Sequence, residues 1–444
     1  MPNNQNYKAI IIGAGPAGLF AAIRLAKAMR PDDTIQLAKS ARAESSTPEH
    51  GDHSGILVLE RNEKPARKLL ASGSGQCNIS HAGPIADFLS HYGGGEKAQS
   101  AARFIKPALY GFDNQALLDW FEARGIQFET EENGKVFPTD RRASSILRVL
   151  QEEARLLQVD IETSSRVSAI RRGADGFSVQ VEGRDEPYCA PLALIATGGA
   201  SYPKTGSTGD GYAYAASLGH RIIPPRPALA PVFIHDFSLK PLAGLSFRDA
   251  GLAVLRDGRR SIAKRGDLLI THEGLSGPLI LDSSRHIQPG DVLEINFLQE
   301  TLDTFRNHLD TELQAKPRRL VRLLLSELGL TKHMAELFCE LAKVHQDTTA
   351  ATLTRGGREA LCRLACAQQF QVSSLGSFDI AMVTAGGVDL TQVNAGTMES
   401  RLVPDLFFAG EVLDIDGDSG GYNLQAAFST GALAASSMSL SLLY

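Results

Sequence analysis

Residues 13 to 18 read GAGPAG, a spacing of glycines that can cradle a phosphate. They follow a short apolar run, Tyr7 to Ile12, and open an apolar-periodic stretch from Pro16 to Met29, so the segment reads as strand, tight turn and helix. In that setting Gly13 permits the turn, Gly15 lets a pyrophosphate approach the backbone, and Gly18 allows helix and strand to pack closely, with Ala17 in the same turn. The helix N-terminus adds partial positive charge. The chemistry implied is dinucleotide binding, against the plainer reading of a structural glycine turn. Glu60 ends the next apolar run, ILVLE, where an acid would grip ribose hydroxyls; an ordinary surface acid is the alternative. Its distance from Gly18 is nearly twice the usual ~20 residues, which a polar, turn-rich insertion at 31 to 55, with a short strand at Thr34 to Ala38, accounts for. Glu49, His50, Asp52 and His53 in that insertion are metal-ligand types, but they read as a solvated loop, and no metal is assigned. No Ser/His/Asp arrangement or P-loop is recognisable.

The elements that must position these residues follow from periodicity. Asn114 to Gly125 and Ala143 to Leu157 are helical in pattern, Asp160 to Glu182 alternates like strands of a small sheet, and Leu192 to Ala196 is a short buried strand. Between Gly206 and Phe378 the character changes: strand-like pieces (Leu252 to Arg256, Asp267 to Thr271, Val292 to Phe297) give way after Thr301 to helical stretches. A last strand, Leu406 to Ala409, precedes GDSGGYN and a helix from Leu424. The expected architecture is α/β: a Rossmann-like nucleotide-binding domain at 1–205 and 379–444, interrupted by an inserted domain at 206–378. The insert has a β-barrel-like part to about 300 and a helical part from 301. A chain of 444 residues suits two or three domains, and 43% hydrophobic with 21% charged residues excludes wholesale disorder. Cys77, Cys189, Cys339, Cys362 and Cys366 are odd in number and lack CxxC spacing, so neither a disulfide framework nor a zinc cluster is indicated. A cytoplasmic protein with no membrane partner is expected, since no signal-like segment and no run of ~18 apolar residues occurs.

Further segments, read together, are specific: RKLLASGSGQCN (Arg67 to Asn78), ATGGASYPKTGSTGDGY (Ala196 to Tyr212), LLITHEGLSGP (Leu268 to Pro278), GGV (Gly386 to Val388), TMESR and AGEVLDIDGDSGGYNLQ. With GAGPAG they make the chain resemble, over nearly its whole length, the HI0933-like or YhiN-like flavoproteins, a branch of the glutathione-reductase-type FAD folds. The family pattern SGGGRCN reads SGSGQCN here, with Ser74 for a glycine and Gln76 for an arginine. The resemblance implies FAD held at a split site. Thr197 and Gly198 let the chain leave the sheet beside the cofactor, and Gly410 with Glu411 brings an acid to the ribityl chain. Gly420, Gly421, Tyr422, Asn423 and Leu424 start a helix whose amides face the flavin pyrimidine edge. It also brings the Val167 backbone to the adenine, and places Asn78 and Lys68 near the cofactor; Lys68 either neutralises phosphate or is simply solvated. His272, in THEGLSGP, is a candidate for the substrate face of the flavin or a structural histidine. Cys77 is a candidate proton donor or a small packing residue.

Three functions follow from the resemblance. The first is an FAD-dependent oxidoreductase that reduces an activated C=C bond with electrons from a transiently bound NAD(P)H, with uridine in 23S ribosomal RNA as substrate. The second is the same chemistry on a small unsaturated substrate such as a steroid or bile-acid intermediate, and the third is a noncatalytic redox sensor or scaffold. The formal charge of −5 gives no general affinity for polyanions, but Arg221 to Arg265 holds nine Lys/Arg against three Asp/Glu, and KPRRLVR (Lys316 to Arg322) is a second basic run. These runs are either solvated faces or tracks for phosphates.

Overall fold

The structure, a computed structural model, describes residues 7–30, 54–93 and 97–443. The expected strand at 34–38 and the His and acid residues at 49–53 lie outside the described residues. Two compact units are present, Met1–Ala228 with Phe378–Tyr444, and Leu229–Ser377.

The first unit is built on a five-stranded parallel sheet, in the order Leu406–Phe408, Leu192–Ile195, Ala9–Ile12, Ile56–Leu59, Asp160–Glu162. The middle three strands, AIII, ILVL and LALI, are buried at every residue, as expected of parallel strands covered on both faces. Helix Pro16–Ala28 starts with proline in its first turn, where the missing N–H costs nothing. It packs along the last helix, Tyr422–Ser441, so closely that a Cβ added to Gly431 would lie 2.5 Å from the Ala17 carbonyl oxygen. Around them Phe20 meets Phe112, Trp120 and Phe428 at ring-centroid distances of 5.0, 5.0 and 5.4 Å.

Two expectations shift here. Asp160–Glu162 joins the main sheet beside Ile56–Leu59, and only Val167–Gly173 and Gly176–Val181 form the small sheet, with Tyr188–Ala190. The expected boundary at 206 falls inside the first unit, because helix Asp210–Ser217 belongs to it and strand Ile222–Ala228 pairs with Val383–Val388. The strand IIPPRPA is rich in proline, which suits a two-stranded ribbon with little ladder to supply, and its composition reads as a linker.

The second unit contains a closed barrel whose neighbours run Val232–Ile234, Gly274–Ser276, Arg259–Ile270, Ser246–Arg256, Val292–Asn296, Gln368–Leu375. Helices Leu302–Ala315, Val321–Glu327, Lys332–Leu341 and Arg355–Cys366 follow the fifth of these strands in the chain. Thr301, Thr331 and Thr354 cap three of the helices through their side chains. The β part does not end at 300, since Gln368–Leu375 returns to close the barrel against Val232–Ile234 and Val292–Asn296. Among the described residues no helix is long and apolar enough to cross a membrane.

Gly431→Val is expected to destabilise the protein by about 1–3 kcal/mol, since backbone stands where the new side chain must go. A lowered denaturant midpoint, followed by far-ultraviolet circular dichroism, checks it.

Candidate cofactor site

The GAGPAG turn leaves the sheet at the carboxyl end of Ala9–Ile12. Gly13 has φ +106°, and a Cβ there would lie 2.5 Å from the carbonyl oxygen of Ala196, at the end of the neighbouring strand. A Cβ at Gly18 would overlap the Gly13 carbonyl, so this glycine is required by packing. Gly15 differs: its backbone is extended (φ −79°, ψ −178°), it caps helix Pro16–Ala28 without a side-chain hydrogen bond, and a Cβ there would meet nothing within 4 Å. A side chain at Gly15 would therefore enter free space beside the first helical turn, whose amides no side chain caps. Glu60 stands beside them, 6% exposed; its Oε2 accepts from Ala14 N at 3.0 Å, and its Oε1 from Asn62 N and Nδ2 at 2.8 and 2.7 Å. It is a buried anchor of the turn, not a surface acid. The small side chain of Ala17 lies against Gly410, and its backbone lies against Gly431, where the first and last helices approach.

Lys68 is a different case from the one expected. Its Nζ donates to both carboxylate oxygens of Glu411, at 2.9 and 2.6 Å, so its charge is already partnered. Glu411 also accepts from Thr384 N at 2.8 Å, and the Thr384 hydroxyl accepts from the amides of Ala200 and Ser201 at 2.8 and 3.0 Å. Thr384 is fully buried and joins three segments far apart in the chain; sequence reasoning passed over it, although it closely precedes the GGV motif. Gly198 has φ +75° beside Ser207, and Thr197 packs against Gly211 at the start of helix Asp210–Ser217. Gly410 N donates to the Thr430 hydroxyl at 2.9 Å. The Val167 carbonyl accepts from Tyr214 Oη at 2.6 Å, so that part of its backbone is taken.

In the segment SGSGQCN, Gly73, Ser74, Gly75 and Cys77 all have left-handed backbone, with φ 55°, 57°, 88° and 62°. Cys77 is fully buried in the core of this unit, and burial pushes its thiol up to about 12. That environment suits a packing residue and keeps the sulfur protonated and unreactive. Gln76 Oε1 accepts from Arg141 Nη1 at 3.2 Å. The Oδ1 of Asn78 is buried and has no hydrogen-bond partner among the described residues. An acceptor left in that state is costly, and a bound molecule with a donor would relieve it.

The turn before the last helix is the most tightly organised part. Gly420 and Gly421 have φ +122° and +100°, and Gly421 packs on the Ser80 carbonyl. Asn423 holds the turn from within: its Oδ1 accepts from Gly417 N at 2.8 Å, and its Nδ2 donates to the carbonyls of Gly417 and Asp418 at 2.9 and 3.3 Å. The buried Tyr422 ring is stacked between His81 and His91, at 5.1 and 4.1 Å between centroids. Leu424 packs on the core from the first helical turn. His272 lies in the second unit, exposed at the tip of the turn between Ile270 and Gly274.

The residues present fit a dinucleotide: open space above Gly15, uncapped helical amides, a buried acid at the end of the second strand and an unsatisfied amide oxygen at Asn78. This fold and site define an FAD-dependent oxidoreductase with a Rossmann-like FAD-binding domain. The chain belongs to the HI0933-like family, whose model, described as HI0933-like protein Rossmann domain, matches residues 7–437. It is 33% identical over 433 residues to the 3-dehydro-bile acid delta(4,6)-reductase of Clostridium scindens, covering 96% of this chain and 97% of that one. It is 31% identical over 429 residues to the ribosomal RNA dihydrouridine synthase of Escherichia coli, covering 96% of each. The protein of the same name in Haemophilus influenzae is 32% identical over 442 residues, covering 98% of this chain and 99% of that one.

Two outcomes are expected. Gly15→Val leaves the unfolding midpoint of the FAD-free protein unchanged, because its side chain enters open space, yet lowers FAD content of the purified protein at least tenfold; full FAD retention would remove Gly15 from the site. In the native protein a thiol reagent at pH 8 titrates one fast-reacting cysteine, the exposed Cys189, and Cys189→Ser abolishes that phase while Cys77 stays silent.

Proposed function

We propose that the protein reduces an activated C=C bond with electrons from NAD(P)H, and that its substrate is uridine in large-subunit ribosomal RNA. In this reading GAGPAG and Glu60 hold the ADP half of FAD, and Thr197, Gly198, Gly410, Glu411 and the Gly420 to Leu424 turn hold the flavin half. FAD supplies the two-electron chemistry when bound. The chain's own residues orient it: the amides of the last helix face the electron-rich end of the ring system. His272 is assigned to the substrate, and Asn78 to the cofactor through its unpartnered oxygen.

Both kinds of named relative saturate a carbon–carbon double bond, one in a bile acid and one in an RNA base, and this shared chemistry supports the reaction class. One observation favours RNA. Of the nine basic residues from Arg221 to Arg265, Arg221, Arg256, Arg260 and Arg265 are ion-paired, with Asp389, Asp291, Glu294 and Asp249. Arg248, Arg259 and Lys264 are exposed on the barrel hairpin and have no acidic partner among the described residues. Unpaired cations on an exposed hairpin suit phosphates. In the second run Lys316 pairs with Glu312 and Glu327, Arg319 with Glu327 and Arg322 with Glu336, which leaves only the exposed Arg318 without an acidic partner among the described residues, so we give this run no part in RNA binding. A bile-acid-like substrate is the second reading, carried by the relative of that name.

The deciding experiment is mass spectrometry of ribosomal RNA nucleosides from a strain lacking the protein. Loss of dihydrouridine is expected; its retention at the wild-type level would reject the RNA reading. In vitro, the double variant Arg259→Glu, Lys264→Glu should weaken binding of ribosomal RNA fragments ~10-fold or more. The salt slope should flatten by ~1 per lost phosphate contact, with FAD content unchanged.

A further inference from the structure

Tyr212 lies in the first turn of helix Asp210–Ser217, 8% exposed and packed into the core of the first unit. Its ring rests on the backbone of Gly209, which has φ +81° and where a Cβ would lie 3.0 Å from Tyr212 Cδ2. At the end of the ring the hydroxyl oxygen is buried and makes no hydrogen bond among the described residues. Burial, and after it the charge of Glu411, hold this phenol above its usual pKa, so the oxygen keeps its proton and stands as a donor. A buried donor left in that state is costly and calls for a partner.

Its polar neighbours, Thr384, Glu411 and Asp414, do not supply one. Thr384 is saturated. Its hydroxyl oxygen accepts from the amides of Ala200 and Ser201 at 2.8 and 3.0 Å, which uses both lone pairs, so its proton goes to Ser201 Oγ at 2.9 Å. Asp414 accepts from Gly386 N at 2.9 Å and pairs with Lys97 at 2.6 Å. Glu411 is filled less evenly: Oε1 accepts from Thr384 N and Lys68 Nζ at 2.8 and 2.9 Å, whereas Oε2 accepts from Lys68 Nζ alone, at 2.6 Å. One lone pair of Oε2 is therefore unused among the described residues. Gly199 lets the chain lie against this corner, since a Cβ there would fall 2.5 Å from Thr384 Oγ1 and 2.9 Å from Glu411 Oε1.

We propose that Tyr212 is a cofactor-binding residue whose hydroxyl donates to a ribityl hydroxyl of FAD. Lys68 and Lys97 balance Glu411 and Asp414, so the corner has no spare positive charge to attract a phosphate oxygen. An alcohol needs none. Its oxygen accepts from the phenol, and its own proton suits the unused lone pair of Glu411 Oε2. This inference rests on the proposed function, in which Glu411 borders the flavin half of the cofactor.

The test titrates FAD into the full-length FAD-free protein and follows quenching of flavin fluorescence. Tyr212→Phe keeps the ring and removes the hydroxyl, so Kd for FAD is expected to rise ~10-fold. The thermal midpoint of the FAD-free variant should not fall, because the lost hydroxyl had no partner in the protein; a hydroxyl with a purely structural role would lower that midpoint and leave Kd unchanged. Glu411→Gln reports separately on where the flavin half lies and should weaken FAD binding too. If Glu411→Gln weakens binding and Tyr212→Phe does not, the role of Tyr212 is overturned and the placement of the flavin half stands. If neither does, the placement falls and the inference with it. The pairing itself is read with FAD analogues that each lack one ribityl hydroxyl. One of them is expected to bind the unsubstituted protein ~10-fold less tightly than FAD and to lose nothing further in Tyr212→Phe. If the two losses multiply for every analogue, the hydroxyl of Tyr212 does not meet the ribityl chain and the proposal is overturned.

Discussion

At Gly13 the chain has no room for a side chain, because the backbone of the first strand, the first helix and the end of Leu192–Ile195 converge there within contact distance. That crowding bends the chain sharply enough to aim the helix amides outward, and Gly15 is left over open space as a result. The same reliance on small side chains recurs behind it. Gly410 and Gly431 both lie against Ala17, so the last helix leans on the first with backbone almost touching backbone. Pocket and core are thus consequences of one packing constraint: small residues fill the inside of the fold so that polar backbone can be exposed at one place.

The acids of the first unit do a related job. Glu60 accepts from Ala14 N, Glu411 from Thr384 N, Asp414 from Gly386 N and Asp389 from Thr391 N. Each carboxylate pins a backbone amide in the glycine-rich surroundings of the site, and Lys68, Lys97 and Arg221 balance three of them. Glycine-rich backbone would otherwise be mobile. Charge-assisted bonds to backbone supply the rigidity that side-chain packing cannot, at positions where glycines leave no side chain to pack.

Much of this was legible because it is local. GAGPAG, the buried runs AIII, ILVL and LALI, and the switch from strands to helices in the second unit all carry their signal within a few residues. The return of Gln368–Leu375 to the barrel was not, since a strand following a helix looks alike whether it rejoins an old sheet or starts a new one. Pairings across long stretches of chain were invisible for the same reason: nothing near Lys68 announces Glu411, and nothing near Tyr422 announces His81 and His91. Thr384 was missed because a buried threonine in an apolar strand looks like packing; its role lies in the three segments that converge on it.

The order of strands in the main sheet also bears on how the chain is made. Leu192–Ile195 pairs with Ala9–Ile12 on one side and with Leu406–Phe408 on the other, and the whole second unit is synthesised between those partners. At about 5–20 residues per second, the ribosome leaves one edge of an apolar strand unpaired for on the order of ten seconds while Leu229–Ser377 emerges. During that interval the nascent first unit offers a bare template for pairing with another chain. The interruption that gives the enzyme its second unit therefore leaves that edge without its partner until Leu406–Phe408 has been made.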